Sequence, residues 1–495
     1  MRRRLVRRIP VRVRQYWKLL AACAAFLAVL TLVFGTDRVR PFVTSPGAAA
    51  GDQAGDRGSV NVEGRRDLFD ATVAHTLRLT FRDADYQRVL DAYFDEGEKE
   101  YLEADLVVDG VLVPSVGIRL KGNSTLGGLT RNGQTRPGGF RPGGGAFPGG
   151  GAFPGGDAFP GGGQFQGGRP PGGQMPAPMG GGGPMGGRAT LKAEQPETLP
   201  WLINFDTYVD GRRFQGHKEI AVRVAGMGGG STVLNEALAL DLLGSVGEPA
   251  QRYAYSSFTV NDRPTTARLL VELPEARFAG GALYKALSTS QFTDQGDDPT
   301  AYQDDFKQVT GKGSQDLQPV IDLIRWVGTA SDADFDRDLG DHVDVAAFAR
   351  YVALQNLLLN FDDMAGPGRN YYLWLDPATG RFRVVAWDHN LTFSGAAGQG
   401  PFDAGRTGGR LGGHRLKERA LTSPAFKVVY ERAYRDLYRR LYAGAQALST
   451  LDSIVKVLGT VAGGDPAITA SDAERLRTLL VARTQSLAED PVVTG

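Results

Sequence analysis

NFDDMAGPGRNYYLWLDPATGRFRVVAWDHN, residues 360–390, is the stretch whose reading decides the fold. It continues DVAAFARYVALQNLLLN (344–360), whose apolar spacing predicts a long helix ending at Asn360. Behind that helix comes a loop holding Asp362, Asp363 and Asn370. Residues 371–388 then form two aromatic and β-branched runs around Asp376–Gly380, which is a hairpin signal. A hairpin returns its end beside its start. Asp362, Asn370 and Asp388 are therefore expected to converge, although Asp388 lies 26 positions after Asp362. Two carboxylates and an amide oxygen on loop ends are hard donors that suit Mg2+ or Mn2+ beside a nucleotide phosphate. The plainer alternative makes Asp362 and Asp363 caps at a helix end and Asp388 a turn residue.

The order helix, acid–amide loop, hairpin, acid is also that of the second lobe of a protein kinase. There the first Asp accepts the proton of the attacking hydroxyl, and the Asn and the last Asp hold the metal.

Upstream, HTLRLTF (75–81) alternates and predicts a strand, and DADYQRVLDAYFD (83–95) a helix. Residues 103–122 read as a hairpin turning at Asp109-Gly110. LPWLINFD (199–206) and HKEIAVRVAG (217–226) read as strands. STVLNEALALDLLGSVG (231–247) predicts an amphipathic helix with Leu234, Ala237, Leu238 and Leu242 on one face. A hairpin around 261–264 and GALYKA (281–286) follow, and the chain then turns mainly helical, with a capping box at Ser471-x-x-Glu474. The pattern is α+β, strand-rich first and helical second.

Glycine is concentrated: residues 138–187 hold 23 of the chain's 67. With GGGAFPGG units at Gly143 and Gly149, this span cannot build a packed core and reads as a disordered Gly/Pro/Phe-rich insertion over 126–190.

Among the 495 residues, 56 Lys+Arg stand against 55 Asp+Glu. Eight of the positive charges fall within residues 1–18, which hold no acid, so the rest carries about −7 and is not a basic nucleic-acid binder. Residues 19–36 are uncharged and apolar, long enough at roughly 1.5 Å per residue to span a bilayer. With the basic segment before them, they predict a single-pass anchor with a cytoplasmic N-terminus and an extracytoplasmic main domain; the alternative is a cleaved signal peptide. One cysteine, Cys23, excludes a disulfide scaffold. The five histidines show no zinc spacing, and no nucleophile-elbow or P-loop motif is present.

Six pieces of the sequence resemble the CotH-type kinases, the spore-coat protein kinase family: VGIRLKGNST (116–125), FQGHKEI (214–220), STVLNEALALDLLGSVGEPA (231–250), GALYKA (281–286), NFDD with NYYLW (360–374), and VVAWDHNLTF (384–393). The resemblance covers roughly 77–441. It implies a divergent two-lobed protein-kinase-like fold using ATP and Mg2+ or Mn2+ to phosphorylate protein hydroxyls. By position it implies Asp362 as the base, with Asp363 as the adjacent alternative, and Asn370 and Asp388 as metal ligands. For the phosphates it implies Glu236 paired with Lys121 or Lys218, with Asn123 and Ser124 after Gly122 offering backbone N–H groups; Lys285 is a further candidate near the cleft. Family members often carry a Lys just before the strand matching WLINFD, where this chain has Thr198 and Leu199. Either another Lys substitutes, or ATP binding is weakened or lost.

The expected organisation is a basic segment (1–18), an anchor (19–36), a tether (37–66), a first lobe (67–285) and a helical second lobe (286–495). The expected partners are a nucleotide, an exported protein bearing Ser or Thr, and the membrane through the N-terminal helix, with no nucleic acid. A non-catalytic envelope or spore-coat binding protein that keeps the fold is the alternative.

Overall fold

Asp109-Gly110 makes the tight turn that its dipeptide predicts. Both residues have positive φ, 48° and 80°, the conformation that a two-residue hairpin loop of primed type requires. In the computed structural model, the described residues are 60–122, 125–136, 191–226, 230–273, 278, 280–310, 316–403 and 413–495. They fall in one compact unit, 58–495.

The first half is built on seven strands. These are β1 (Ala74–Thr80), β2 (Leu102–Val108), β3 (Val111–Leu120), β4 (Trp201–Asn204), β5 (Glu219–Arg223), β6 (Tyr253–Val260) and β7 (Thr266–Glu272). They close into a barrel in the order β6-β7-β5-β4-β3-β2-β1. Closure is made by parallel pairing of β1 with β6, Ala74 opposite Tyr255 through Leu79 opposite Val260. Alternation works as read: Leu77 and Leu79 of β1 are buried while the residues between them are exposed. Helix α1 (Asp83–Asp95) turns Tyr86, Val89, Leu90 and Tyr93 onto the same core, where Trp201 meets the rings of Phe81 and Tyr86.

Helix α2 (Leu234–Ser245) lies between β5 and β6 in the chain. It was expected to be amphipathic. Instead nine of its residues are buried, Asn235 and Glu236 among them, because it is enclosed by barrel strands on one side and by helices on the other.

A second sheet comprises β8 (Ala282–Ala286), β9 (Phe306–Gln308), β10 (Tyr371–Leu375) and β11 (Phe382–Ala386), in the order β9-β8-β10-β11. Thus the GALYKA strand pairs with the Tyr371–Leu375 strand, Lys285 opposite Tyr372, and not with the barrel. Helices α3 (Gln318–Thr329), α4 (Asp332–His342), α5 (Val345–Leu357), α6 (Arg415–Thr422), α7 (Pro424–Tyr438), α8 (Gln446–Leu458) and α9 (Pro466–Ala488) complete the second half. Their shared core includes Phe348, Leu354, Tyr430, Tyr434 and Leu451.

Several expectations are corrected. Helix α9 starts at Pro466, not at Ser471, because Asp465 accepts from the N–H groups of Ala467 (2.8 Å) and Ile468 (3.2 Å) and proline suits the first helical position. The insertion does not begin at 126: Leu126–Gly128 form a short helical turn, Leu126 and Leu129 are buried, and Thr130 bridges to Lys192. The remainder, 137–190, lies outside the described residues, as do Asn123 and Ser124. The membrane localisation is corrected as well. No helix among the described residues is long and apolar enough to cross a membrane, and the segment 19–36 that was to anchor the chain lies outside them.

Candidate functional site

The loop after α5 is shaped by close approaches. Asn360 Oδ1 accepts from Asp362 N–H at 3.1 Å and turns the chain out of the helix. A Cβ on Gly368 would run into the Asp362 carboxylate and stand 2.9 Å from Asn370 Nδ2, so only glycine fits. Gly368 N–H donates to Asp362 Oδ1, and Asn370 Nδ2 donates to Asp362 Oδ2 at 2.9 Å. Asp362 is 7% exposed. Burial pushes its pKa up to about 6, and the nearby charges of Asp388 and Asp363 add to the rise against the lowering effect of Gly368 and Asn370.

Asp363 faces elsewhere. Its carboxylate accepts from Ala365 N–H at 2.8 Å and is paired with Lys417 of α6. Of the two adjacent acids, Asp362 is the one bonded to Asn370.

Asp388 follows β11 with φ 55°, a left-handed backbone that is uncommon outside glycine. It pairs with the Arg223 guanidinium, which projects from the end of β5. The same guanidinium makes a forked pair with Glu236 of α2, Nε to Oε2 at 2.9 Å and Nη2 to Oε1 at 2.8 Å. Burial works to raise Asp388, but Arg223 outweighs it and holds this carboxyl below its usual range. Burial prevails for Glu236, which lies above its own range. Arg268 donates to the Arg223 carbonyl at 2.7 Å and to the Glu197 and Leu199 carbonyls, tying this strand end to the turn before β4.

Three cations surround Asp388. Besides Arg223, Lys121 stands just past β3 with its ammonium 5.6 Å from the centre of the Trp387 ring. Lys285 of β8 stands 5.5 Å from the same ring and 5.9 Å from that of Tyr372. Burial pulls Lys121 down to about 7, and the charges of Lys285 and Arg223 pull the same way while Asp388 opposes them. A group of partly buried cations beside two carboxylates is chemistry for a polyphosphate bridged to a metal.

The structure therefore brings together Asp362, Asn370, Asp388, Glu236, Lys121 and Lys285. It does not bring in Lys218, which is half exposed and pairs with Asp206 at 2.5 Å. Arg223, Arg268 and Lys417 were missed by the sequence reading. Arg223 carried one signal: a charged residue closing the apolar run of a strand needs a partner. Among the described residues, no group of three or more His, Cys, Asp or Glu is arranged to hold a metal ion. The donors that fit a hard divalent cation are the Asp388 carboxylate and the amide oxygen of Asn370, with Asp362 beside them. The raised Asp362 supports that fit, since a cation would relieve negative charge that burial and its acidic neighbours leave uncompensated.

A family model described as CotH kinase protein matches residues 192–482. Inner spore coat protein H of Bacillus subtilis (strain 168) is 22% identical over 260 residues, covering 50% of this chain and 67% of that protein. Among solved structures, the Shewanella oneidensis MR-1 toxin–antitoxin complex of HipA, HipB and operator DNA aligns with a TM-score of 0.29 and 12% identity, over 54% of this chain and 57% of that one. The Helicobacter pylori proinflammatory kinase CtkA aligns with a TM-score of 0.26 and 10% identity, over 54% and 90%.

Proposed function

The chain belongs to the family of CotH kinase proteins, and from that premise we propose that it transfers the terminal phosphoryl group of ATP to a Ser or Thr hydroxyl of a coat or envelope protein. Asp362 accepts the proton of the attacking hydroxyl as the new oxygen–phosphorus bond forms and the bond to the nucleoside diphosphate breaks. Asp388 and the Asn370 amide oxygen would hold Mg2+ or Mn2+, which neutralises phosphate charge when bound. Lys121, Lys285 and Arg223 bind phosphate oxygens, and the Trp387 and Tyr372 rings flank them. Asp363, engaged by Lys417, fixes the loop. The name of the curated relative, an inner spore coat protein, supports a coat component as acceptor.

One arrangement carries this reading: Asn370 donates to Asp362 at 2.9 Å at the start of the hairpin, and Asp388 at its end shares the Arg223 guanidinium with Glu236. The test uses the full chain with radiolabelled ATP and Mn2+. The wild type should label a coat protein extract, and Asp388→Asn should lose the label while retaining a cooperative melt. ATP with Mn2+ should raise the wild-type melting midpoint, because a ligand that binds only the native state stabilises it. Labelling by Asp388→Asn at the wild-type rate would overturn the metal assignment. The absence of any midpoint shift would overturn nucleotide binding.

A further inference from the structure

Glu236 is carried by the first turn of α2, and that turn has a single weak side-chain acceptor from its own sequence. Val233, at the capping position, has no side chain able to accept, and Thr232 Oγ1 reaches only the Leu234 N–H, at 3.3 Å. The loop that leads into this turn is held from the far end of the chain. Asp472 of α9 is 7% exposed, and its Oδ2 accepts from the N–H groups of Ser231 (2.6 Å) and Thr232 (2.7 Å). A carboxylate there also faces the positive end of the α2 dipole.

The same turn is bonded to the segment behind Asp388. Asn235 Nδ2 donates to the Asn390 carbonyl at 2.5 Å, and Thr392 Oγ1 donates to the Asn235 carbonyl at 3.2 Å. The α9 helix is itself fixed one side further on. Arg483, wholly buried, donates to Asn356 Oδ1 (2.8 Å), the Tyr434 hydroxyl (3.1 Å) and the Ala397 carbonyl (3.0 Å). Asn356 lies near the end of α5, the helix that leads into Asp362.

We propose that Asp472 is a positioning residue for the site: by holding the start of α2 it sets where Glu236, and through Asn235 the Asn390 segment, stand relative to Arg223 and Asp388. This rests on the function proposed above for its effect on catalysis, and on the bonds alone for its effect on structure. Asp472 touches no reacting group itself.

The experiment is hydrogen exchange followed by mass spectrometry on the full chain, with Asp472→Ala, Asp472→Asn and, as a control, Asp452→Ala, which removes an exposed pair to Arg477 on the same helix. Asp472→Ala should speed exchange about tenfold in peptides covering both 231–240 and 386–392, leaving β1 as protected as in the wild type. Asp472→Asn, which keeps one amide oxygen for the two N–H groups but loses the charge, should give a smaller change in both, and Asp452→Ala none. In parallel, the dissociation constant for ATP with Mn2+ should rise about tenfold in Asp472→Ala. Faster exchange confined to 231–240, or equal to that of Asp452→Ala, overturns the proposal. If Asp472→Ala loosens the whole fold, the milder Asp472→Asn decides by the same two peptides. A wild type that binds no nucleotide would remove the proposed function, while the exchange data still decide the role of Asp472.

Discussion

Asp362 and Asp363 are chain neighbours with different surroundings: Asn370 donates to the first, and Lys417 pairs with the second. For Asp362, burial and the charges of Asp388 and Asp363 lift the pKa from an ordinary 3.8 to about 6. A base must be ionised, so kcat/KM of the free enzyme should climb as pH rises towards 6 and level off above it. In Asp362→Asn that limb should vanish together with transfer; pH–rate profiles check both. The stability sign is opposite. A carboxyl whose folded pKa is raised favours the fold when protonated, so this contribution is full below 3.8 and is lost as pH rises through about 6. The loss is up to about 3 kcal/mol, measured as the difference between wild-type and Asp362→Asn denaturant curves across that range. Arg223 is a second case. Removing it in Arg223→Met takes the forked counter-charge from the buried Glu236 and leaves the partly exposed Asp388 to Lys121 and Lys285, which should cost about 3 kcal/mol in urea unfolding. Arg223→Lys should recover little, because one ammonium cannot make the fork to Glu236 and also reach Asp388. That Asp388 ends near the loop of Asp362 could be read in the sequence, because a hairpin returns its end beside its start. Arg223 could not be, since its partners lie 13 and 165 positions onward and only folding identifies them.

Among the elements, the short connections were read best where a dipeptide dictates the backbone. Asp109-Gly110 and the 376–380 turn are where they were expected, the latter with Gly380 at φ 68°. Helix α9 shows the reverse. Ser471 and Glu474 match a capping pattern, but an Asp-Pro start five residues earlier satisfies the first N–H groups, and the later signal falls inside the helix. The loop 361–370 makes a sharper prediction. In Gly368→Ala the new methyl must displace the Asp362 carboxylate, the Asn370 amide or the backbone between them. A misplacement of about 1 Å in a reacting group costs on the order of 100-fold. Gly368→Ala should therefore lower the transfer rate by about that factor, with a smaller proportional effect on the dissociation constant for ATP. A variant that folds and transfers at the wild-type rate would show that Asp362 is not held by this loop.

At the scale of the whole molecule, the α+β order was visible as a strand-rich half followed by a helical one, but the barrel was not. Closure depends on β1 meeting β6 across some 180 positions, and no local pattern encodes which strands pair in parallel at that separation. The glycine-rich span could be read as compositionally unable to form a core, yet where it leaves the fold is a tertiary fact. Of the flanks, Arg136 has its guanidinium 5.9 Å from the Tyr93 ring centre, and Leu191 is buried. Thr130 N–H donates to the Leu191 carbonyl at 3.0 Å, and Ala193 N–H donates to the Thr130 carbonyl at 2.8 Å. The two ends are thus already joined by the fold, and the residues between them are not needed to bring them together. Replacing 137–190 by about six Gly and Ser residues shortens the closed loop by roughly three halvings, each worth about 0.6 kcal/mol of closure entropy. The shortened chain should therefore melt no lower than the full chain and gain up to about 2 kcal/mol in denaturant unfolding. Its midpoint should rise with ATP and Mn2+ as the full chain's does, since every residue assigned to the site lies outside the deleted span. A loss of more than about 1 kcal/mol would mean that 137–190 contributes contacts to the core, and a lost nucleotide response with stability intact would mean that it contributes to the site.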